Sequence, residues 1–277
     1  MDAVISQLQS AGLIIDGLPE IGRLVRCKVD GDKGGKESGW YVLHEITLDN
    51  GDVVQIGKYG NWKTMGGDSL SITFENTVSQ IEREKIADKQ RELRAIADAE
   101  KKQRSENAAM RAREIWEKLP TGGASEYLLR KRVNAYGLRF SRGSIVVPVR
   151  NANGDMTGLQ FIAADGTKKF LTGTAKTGCF HRIGNLVDGK PLCVAEGYAT
   201  AATIHQVMGW PVAVAFDAGN LTAVAKALRE KYPDQKIIVC ADNDRFTLGN
   251  PGVTKAREAA AAVGGAVVVP EFPAETT

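Results

Sequence analysis

Two short acidic motifs hold most of the chemistry this sequence offers. Glu196 directly follows Leu192-Cys193-Val194-Ala195, and Asp242 and Asp244, one residue apart, directly follow Ile237-Ile238-Val239-Cys240-Ala241. Three carboxylates gathered in one place repel one another unless a cation neutralises them, and oxygen-only donors of this kind suit Mg²⁺ or Mn²⁺. Singly, each motif has a plainer use, because an acid after a strand often caps a helix or sits in a solvated loop. A metal site therefore requires a fold that joins motifs 46 residues apart (242 − 196 = 46).

The flanking pattern supplies such a fold. Continuous apolar runs of four to five residues, separated by amphipathic segments of a dozen or so, read as buried parallel strands of an α/β sheet. Both motifs then fall at strand C-termini, which in an open α/β sheet line one crevice where ligands bind. Between them, a helix is expected over Tyr198 to Met208, then a strand over Pro211 to Phe216, then a helix from Leu221 to Lys231. Asp217 also falls at a strand end, where it could reach a metal or equally serve as a turn residue. His205, on the first of these helices, gives no case for catalysis. Beyond Asp244, Thr254 caps an Ala-rich helix that ends at Gly264-Gly265, and Ala266 to Val269 is a fourth strand. Lys255 and Arg257, in the first turns of that helix, lie near enough to the acids to bind phosphate.

Upstream, the charge balance changes sign. Between Glu126 and Arg182 stand ten cations, among them Arg142, Arg150, Lys168, Lys169 and Lys176, against three anions, Glu126, Asp155 and Asp165. Ser144 to Arg150 and Leu159 to Ile162 read as strands joined at Asn153-Gly154-Asp155, and Asp165-Gly166 turns into Lys168-Lys169-Phe170-Leu171. The expectation is a small basic antiparallel sheet placed before the acidic site. Cations there can hold a nucleic-acid backbone and triphosphates, although a solvated hairpin can also be lysine-rich. Thr172 to Gly178 lacks the Gly-Lys-Ser/Thr ending of a P-loop and is not one.

The run Val-Ala-Glu-Gly-Tyr-Ala-Thr-Ala-Ala-Thr-Ile (194–204), with Val-Ala-Phe-Asp-Ala-Gly-Asn-Leu (214–221) and Cys-Ala-Asp-Asn-Asp (240–244), resembles the TOPRIM domain of phage- and plasmid-encoded DNA primases. The resemblance covers roughly residues 110–271. It implies a metal-dependent primer polymerase acting on a single-stranded DNA template with nucleoside triphosphates, and a replicative helicase as partner in cis or in trans. Glu196, Asp242 and Asp244 would be the catalytic and metal-binding acids, with Glu196 either a ligand or a general base. Lys168, Lys169 and Lys176 match the phosphate-facing lysines, with Arg142, Arg150 and Lys255 as further nucleotide or template contacts. Two departures stand out: Thr200 occupies a position where replicative primases carry an aspartate, as in mobile-element primases. The further acidic segment usual after the fourth strand is missing, so either the chain is a fragment of a larger primase or Glu271 serves. A TOPRIM nuclease and a single-strand-binding fragment are the rival readings. A topoisomerase has no evident room for its partner domain.

The rest of the chain frames this site. Residues 1–75 read as a β-rich module, 76–119 as a charged linker helix, 120–185 as the basic subdomain and 186–277 as the TOPRIM domain. In the first, Leu13-Ile14-Ile15, Leu24 to Cys27, Trp40 to Ile46 and Val53 to Gly57 are strand candidates, with a hairpin at Asp49-Asn50-Gly51-Asp52. Trp40, Tyr41, Tyr59 and Trp62 among lysines could stack unpaired bases or simply form the core. The linker helix has apolar residues too sparse for a coiled-coil seam and alternating charges suited to i,i+4 pairing. The net charge of +3 does not by itself argue for nucleic acid, and the chain has no long apolar run or signal-peptide pattern. Cys27, Cys179, Cys193 and Cys240 lack CxxC spacing, which points to reduced thiols in a cytoplasmic protein and away from zinc.

Overall fold

A computed structural model describes residues 2–48, 51–65, 68–73 and 80–271. The chain divides into two compact units, Met1–Ala99 and Glu100–Thr277. The boundary falls inside one long helix, α2 (Gln80–Lys118). Residues 76–79, where the sequence suggests this helix begins, lie outside the described residues, as do Asp49 and Asn50 of the expected hairpin.

The first unit opens with a helix the sequence reading did not anticipate, α1 (Asp2–Ser10), which buries Val4 and Leu8, one turn apart. A four-stranded antiparallel sheet follows in the order β1 (Leu24–Cys27), β2 (Gly39–Thr47), β3 (Val53–Asn61) and β4 (Leu70–Ser71). Leu13-Ile14-Ile15 is not a strand: Leu13 makes one isolated bridge to Val29. Tyr41 and Tyr59 are core residues, packed with Leu8, Leu13 and Leu43, while Trp62 is exposed.

The second unit contains two sheets. The smaller is antiparallel: β5 (Arg139–Ser141), β6 (Ser144–Arg150), β7 (Met156–Ile162) and β8 (Lys168–Phe170), in that order. Before it stands a short helix, α3 (Glu126–Lys131), whose Tyr127 and Leu128 belong to the core shared with the larger sheet. Because side chains alternate along a strand, β6 and β7 present two different apolar faces. Ile145, Val147, Val149 and Ile162 join one core, and Val146, Leu159 and Met156 pack with Ala112, Ile115 and Trp116 of α2 in another.

The larger sheet has the order β13 (Ala266–Val268), β12 (Ile237–Cys240), β10 (Leu192–Ala195), β11 (Val212–Val214), β9 (His181–Ile183). Its first four strands are parallel and β9 is an antiparallel edge. Every residue of β10 is buried, as a strand covered on both faces requires. One face carries α4 (Tyr198–Met208) together with the small sheet; the other carries α5 (Leu221–Lys231) and α6 (Pro251–Ala261). The chain passes from β10 to β11 on one side, then crosses back to β12 on the other, so β10 is the switch point at which a crevice opens beyond the strand C-termini. This is the parallel α/β core expected from the apolar runs. No helix among the described residues is long and apolar enough to cross a membrane.

Candidate functional site

Three adjacent strands deliver four carboxylates to one end of the larger sheet. In the central pair, Ala195 of β10 is in register with Cys240 of β12, so Glu196 and Asp242 leave neighbouring strand ends. Neighbouring strands lie about 4.8 Å apart. On the other side of β10, the amide of Ala215 donates to the Ala195 carbonyl at 2.8 Å, and Asp217 follows two residues later. Phe216, between them, is 3% exposed with φ of 74°, a left-handed conformation that a bulky residue adopts only when its surroundings impose it. Its ring meets Phe170 edge to face, with centroids 5.7 Å apart.

The Asp-Asn-Asp segment is held by the start of α6. Asn250 accepts from the Asp244 amide at 3.0 Å through its side-chain oxygen and donates to Asn243 Oδ1 at 2.9 Å. Gly252 donates its amide to Asp244 Oδ2 at 3.0 Å. A Cβ at Gly252 would stand 2.3 Å from the Asp242 carbonyl oxygen, so only glycine lets the helix come this close. Asn243 in turn donates to the carbonyl of Pro270 at 3.0 Å, which tethers the residue before Glu271 to the same turn; Glu271 itself is exposed.

The electrostatics follow from this crowding. Burial, and then the charge of Asp242, push the Glu196 carboxyl up; Lys168 opposes them, and Asp244 and Asp217 add to the rise. Asp242 is likewise pushed up by burial and by Asp244, against Lys168, Thr200 and Lys131. Thr200 reaches Asp242 Oδ1 at 3.4 Å, placing a hydroxyl at the acids. Among the described residues no three His, Cys, Asp or Glu side chains are gathered closely enough to hold a metal ion as they stand. The donor set nevertheless suits a cation: it is carboxylate oxygen throughout, and its ionised form is opposed by burial and mutual repulsion that a divalent ion would relieve.

The basic residues divide. Lys168 lies at the acids, its Nζ 3.5 Å from where a Cβ on Gly197 would stand. Lys169, next along β8, pairs with Phe161, whose side chain is on the α2 face, so it is directed to the opposite side of the small sheet. Lys176 forms an ion pair with Asp217. Arg150 donates to the Gly154 carbonyl at 2.8 Å and borders a separate cleft with Trp116 and His181. Arg142 is an exposed residue with φ of 47° in the β5–β6 turn, and Lys255 is paired with Glu258 at 2.8 Å. Of the six cations singled out from sequence, the structure thus brings Lys168 and Lys176 to the acids.

Several residues escaped the sequence reading. Lys131 bears on Asp242 although it comes from α3. Tyr198, 1% exposed, donates to the Asn134 carbonyl at 2.9 Å and accepts from the Tyr136 amide at 2.7 Å, fixing the turn that follows α3. Asn220, 3% exposed, accepts from the Gly178 amide and donates to the carbonyls of Lys176, Cys179 and Ala215 at 2.9–3.1 Å. It thereby ties the Lys176 loop to the end of β11. A polar residue directly after Asp-Ala-Gly was the one available signal, and it reads equally as a cap.

Residues 190–270 match the Toprim domain family. The chain is 36% identical over 264 residues to a DNA primase TraC of Escherichia coli, covering 91% of this chain and 24% of that protein. To a second Escherichia coli DNA primase TraC it is 35% identical over 270 residues, 92% of this chain and 18% of that one. The chain thus spans a quarter or less of the length of these relatives. Among solved structures, the primase fragment of the bacteriophage T7 primase-helicase is 23% identical, with a TM-score of 0.37 over 53% of this chain and 60% of that one. Residues 190–270 thus match the Toprim domain family, in a chain similar over nine-tenths of its length to part of two DNA primases TraC.

Proposed function

We propose that this chain is the primer-synthesising part of a DNA primase of the phage or plasmid type, joining nucleotides on a single-stranded DNA template. One observation carries the reading: Glu196, Asp242 and Asp244 stand at adjacent strand ends, near enough for Asp242, Asp244 and Lys168 to act electrostatically on Glu196, within residues that match the Toprim domain family. In this reading Glu196, Asp242 and Asp244 hold a divalent cation, Mg²⁺ or Mn²⁺. Once bound, the ion supplies a lowered pKa for the attacking hydroxyl and neutralises the departing pyrophosphate.

The chain's own groups do the rest. Lys168 faces the acids and binds the triphosphate as a compact point charge. Lys176, held by Asp217, contacts phosphate from the other side. The Asn250 and Gly252 contacts fix the direction of Asp244, so that the carboxylate does not have to be ordered at the moment of reaction. Thr200 bonds Asp242 where an aspartate would have added a further charge. Glu196, whose proton affinity is raised, also suits a proton acceptor for the attacking hydroxyl.

The test is synthesis from labelled ribonucleotides on a single-stranded template with Mg²⁺. Asp242→Ala should abolish product while template binding persists. Equal synthesis by the variant overturns the reading, and metal-dependent nicking without nucleotides would replace it with a nuclease.

A further inference from the structure

Within the second unit, the C-terminal half of α2 and the loop Thr172–Thr177 form the two walls of a cleft of about 700 Å³. Lys101, Arg104 and Arg111 stand on the helix wall and Lys176 on the loop wall, and among the described residues no acidic one lines the cleft. The three helix cations are exposed, and none pairs with a carboxylate among the described residues. Other cations of the helix are paired: Lys89 with Glu92, Arg91 with Asp88 and Lys102 with Glu106.

The walls are preformed. Gly173, with φ of +91°, sits so close to the helix that a Cβ there would stand 2.9 Å from the Arg104 carbonyl oxygen and 3.0 Å from the Ala108 Cβ. Thr157 donates to the Ala175 carbonyl at 2.8 Å, and Asn220 clasps the Lys176 carbonyl and the Gly178 amide, each at 2.9 Å. At 1.5 Å per residue, Lys101 to Arg111 spans about 15 Å. The ligand this arrangement fits is an extended anion with regularly spaced charges. Among the described residues no aromatic ring lines the cleft to read or stack bases, so contact is to phosphates. Cations on facing walls enclose one strand, whereas a duplex sets two backbones either side of a groove about 12 Å wide.

We infer that this cleft is a track for single-stranded DNA that leads to the acidic site. The track reaches Lys176, which is paired with Asp217, and Asp217 acts electrostatically on Glu196. That the bound strand is a template rests on the primase reading; the binding itself does not.

The experiment compares binding of a fluorescent single-stranded oligodeoxythymidylate by wild-type protein and by Lys101→Glu/Arg104→Glu/Arg111→Glu. A single strand contributes about 0.7 to the log–log salt slope per phosphate contact, so losing three contacts should lower the slope by about 2 and weaken binding roughly 100-fold at 0.1 M salt. The control, Lys89→Glu/Arg91→Glu on the same helix, should bind as wild type. In wild-type protein, bound oligonucleotide should protect Lys101 from acetylation and leave Lys102 reactive, a readout that does not depend on a variant folding. Unchanged affinity and slope, no protection of Lys101, or a loss confined to duplex DNA or RNA would overturn the inference. Asp242→Ala should retain the binding, so failure of the track and failure of the primase reading register in separate assays.

Discussion

The acidic strand ends and the basic cleft are two charge clusters built on opposite principles. Glu196 and Asp242 are half-buried at neighbouring strand ends, and destabilised as anions first by burial and then by nearby carboxylates. Lys101, Arg104 and Arg111 are exposed and kept apart by helical spacing. A cluster that the fold forces together suits a small, dense counter-ion; one spread along a helix suits a long, flexible polyanion. The clusters meet at the Lys176–Asp217 pair, beneath which Asn220 binds the loop to β11.

The sharpest way to break this contrast is to remove a carboxylate. Glu196→Gln should cut primer synthesis on the order of 10³-fold, the scale for losing a preorganised charge-stabilising group, with oligonucleotide affinity unchanged; parallel losses in both assays would show that the clusters are not separable. Removing the strap comes next. Asn220→Ala leaves several buried groups without partners and should cost about 3 kcal/mol, read as a fall in Tm of roughly 6–12 °C. Gly252→Ala forces a Cβ against the Asp242 carbonyl and should cost about 1–3 kcal/mol. It should also lower metal affinity about 10–100-fold, as changes to the support of a ligand commonly do, measured by titration calorimetry.

A subtler effect concerns pH. Glu196 and Asp242 bind protons more tightly in the folded protein than in the unfolded chain, so the folded state loses stability as pH rises from the ordinary carboxylate range through their raised values. Added Mg²⁺ should therefore raise Tm at pH 8, and the gain should vanish as the pH is lowered toward 4 and protons take the ion's place. A metal effect that persists at pH 4 would place the ion elsewhere. Smallest of all, Lys176→Gln removes a partly exposed ion pair worth about 0–1 kcal/mol. It should barely move Tm while still weakening binding in the cleft.

Much of the Toprim domain was legible in the residues. Runs such as Ile237 to Ala241 carry the burial requirement of a central parallel strand in their composition, so strand positions and the placement of Glu196 and Asp242 at strand ends follow directly. Helix α1 was missed because Val4 and Leu8 are too few to outweigh a short polar context. The charged helix α2 was legible from its composition, but its contact with the Thr172–Thr177 loop was not, because that contact is made at Ala108, 1% exposed. Alanine carries no distinctive signal in a helix-forming stretch, since it favours helix whether buried or exposed.

Short stretches of chain carry the buried strands of the larger sheet, the acids that end them and the oxygen character of the donors. Which cations join those acids depends on packing. Lys168 and Lys169 are adjacent in sequence, yet strand alternation sends one to the acids and the other to the far face. Lys131 acts electrostatically on Asp242 from α3, and the α2 cations line a cleft because Gly173 lets a loop lie against the helix. Burial and propensity act over a few residues and leave a pattern there. Convergence of distant side chains depends on how whole elements pack, and no short stretch of the chain records it.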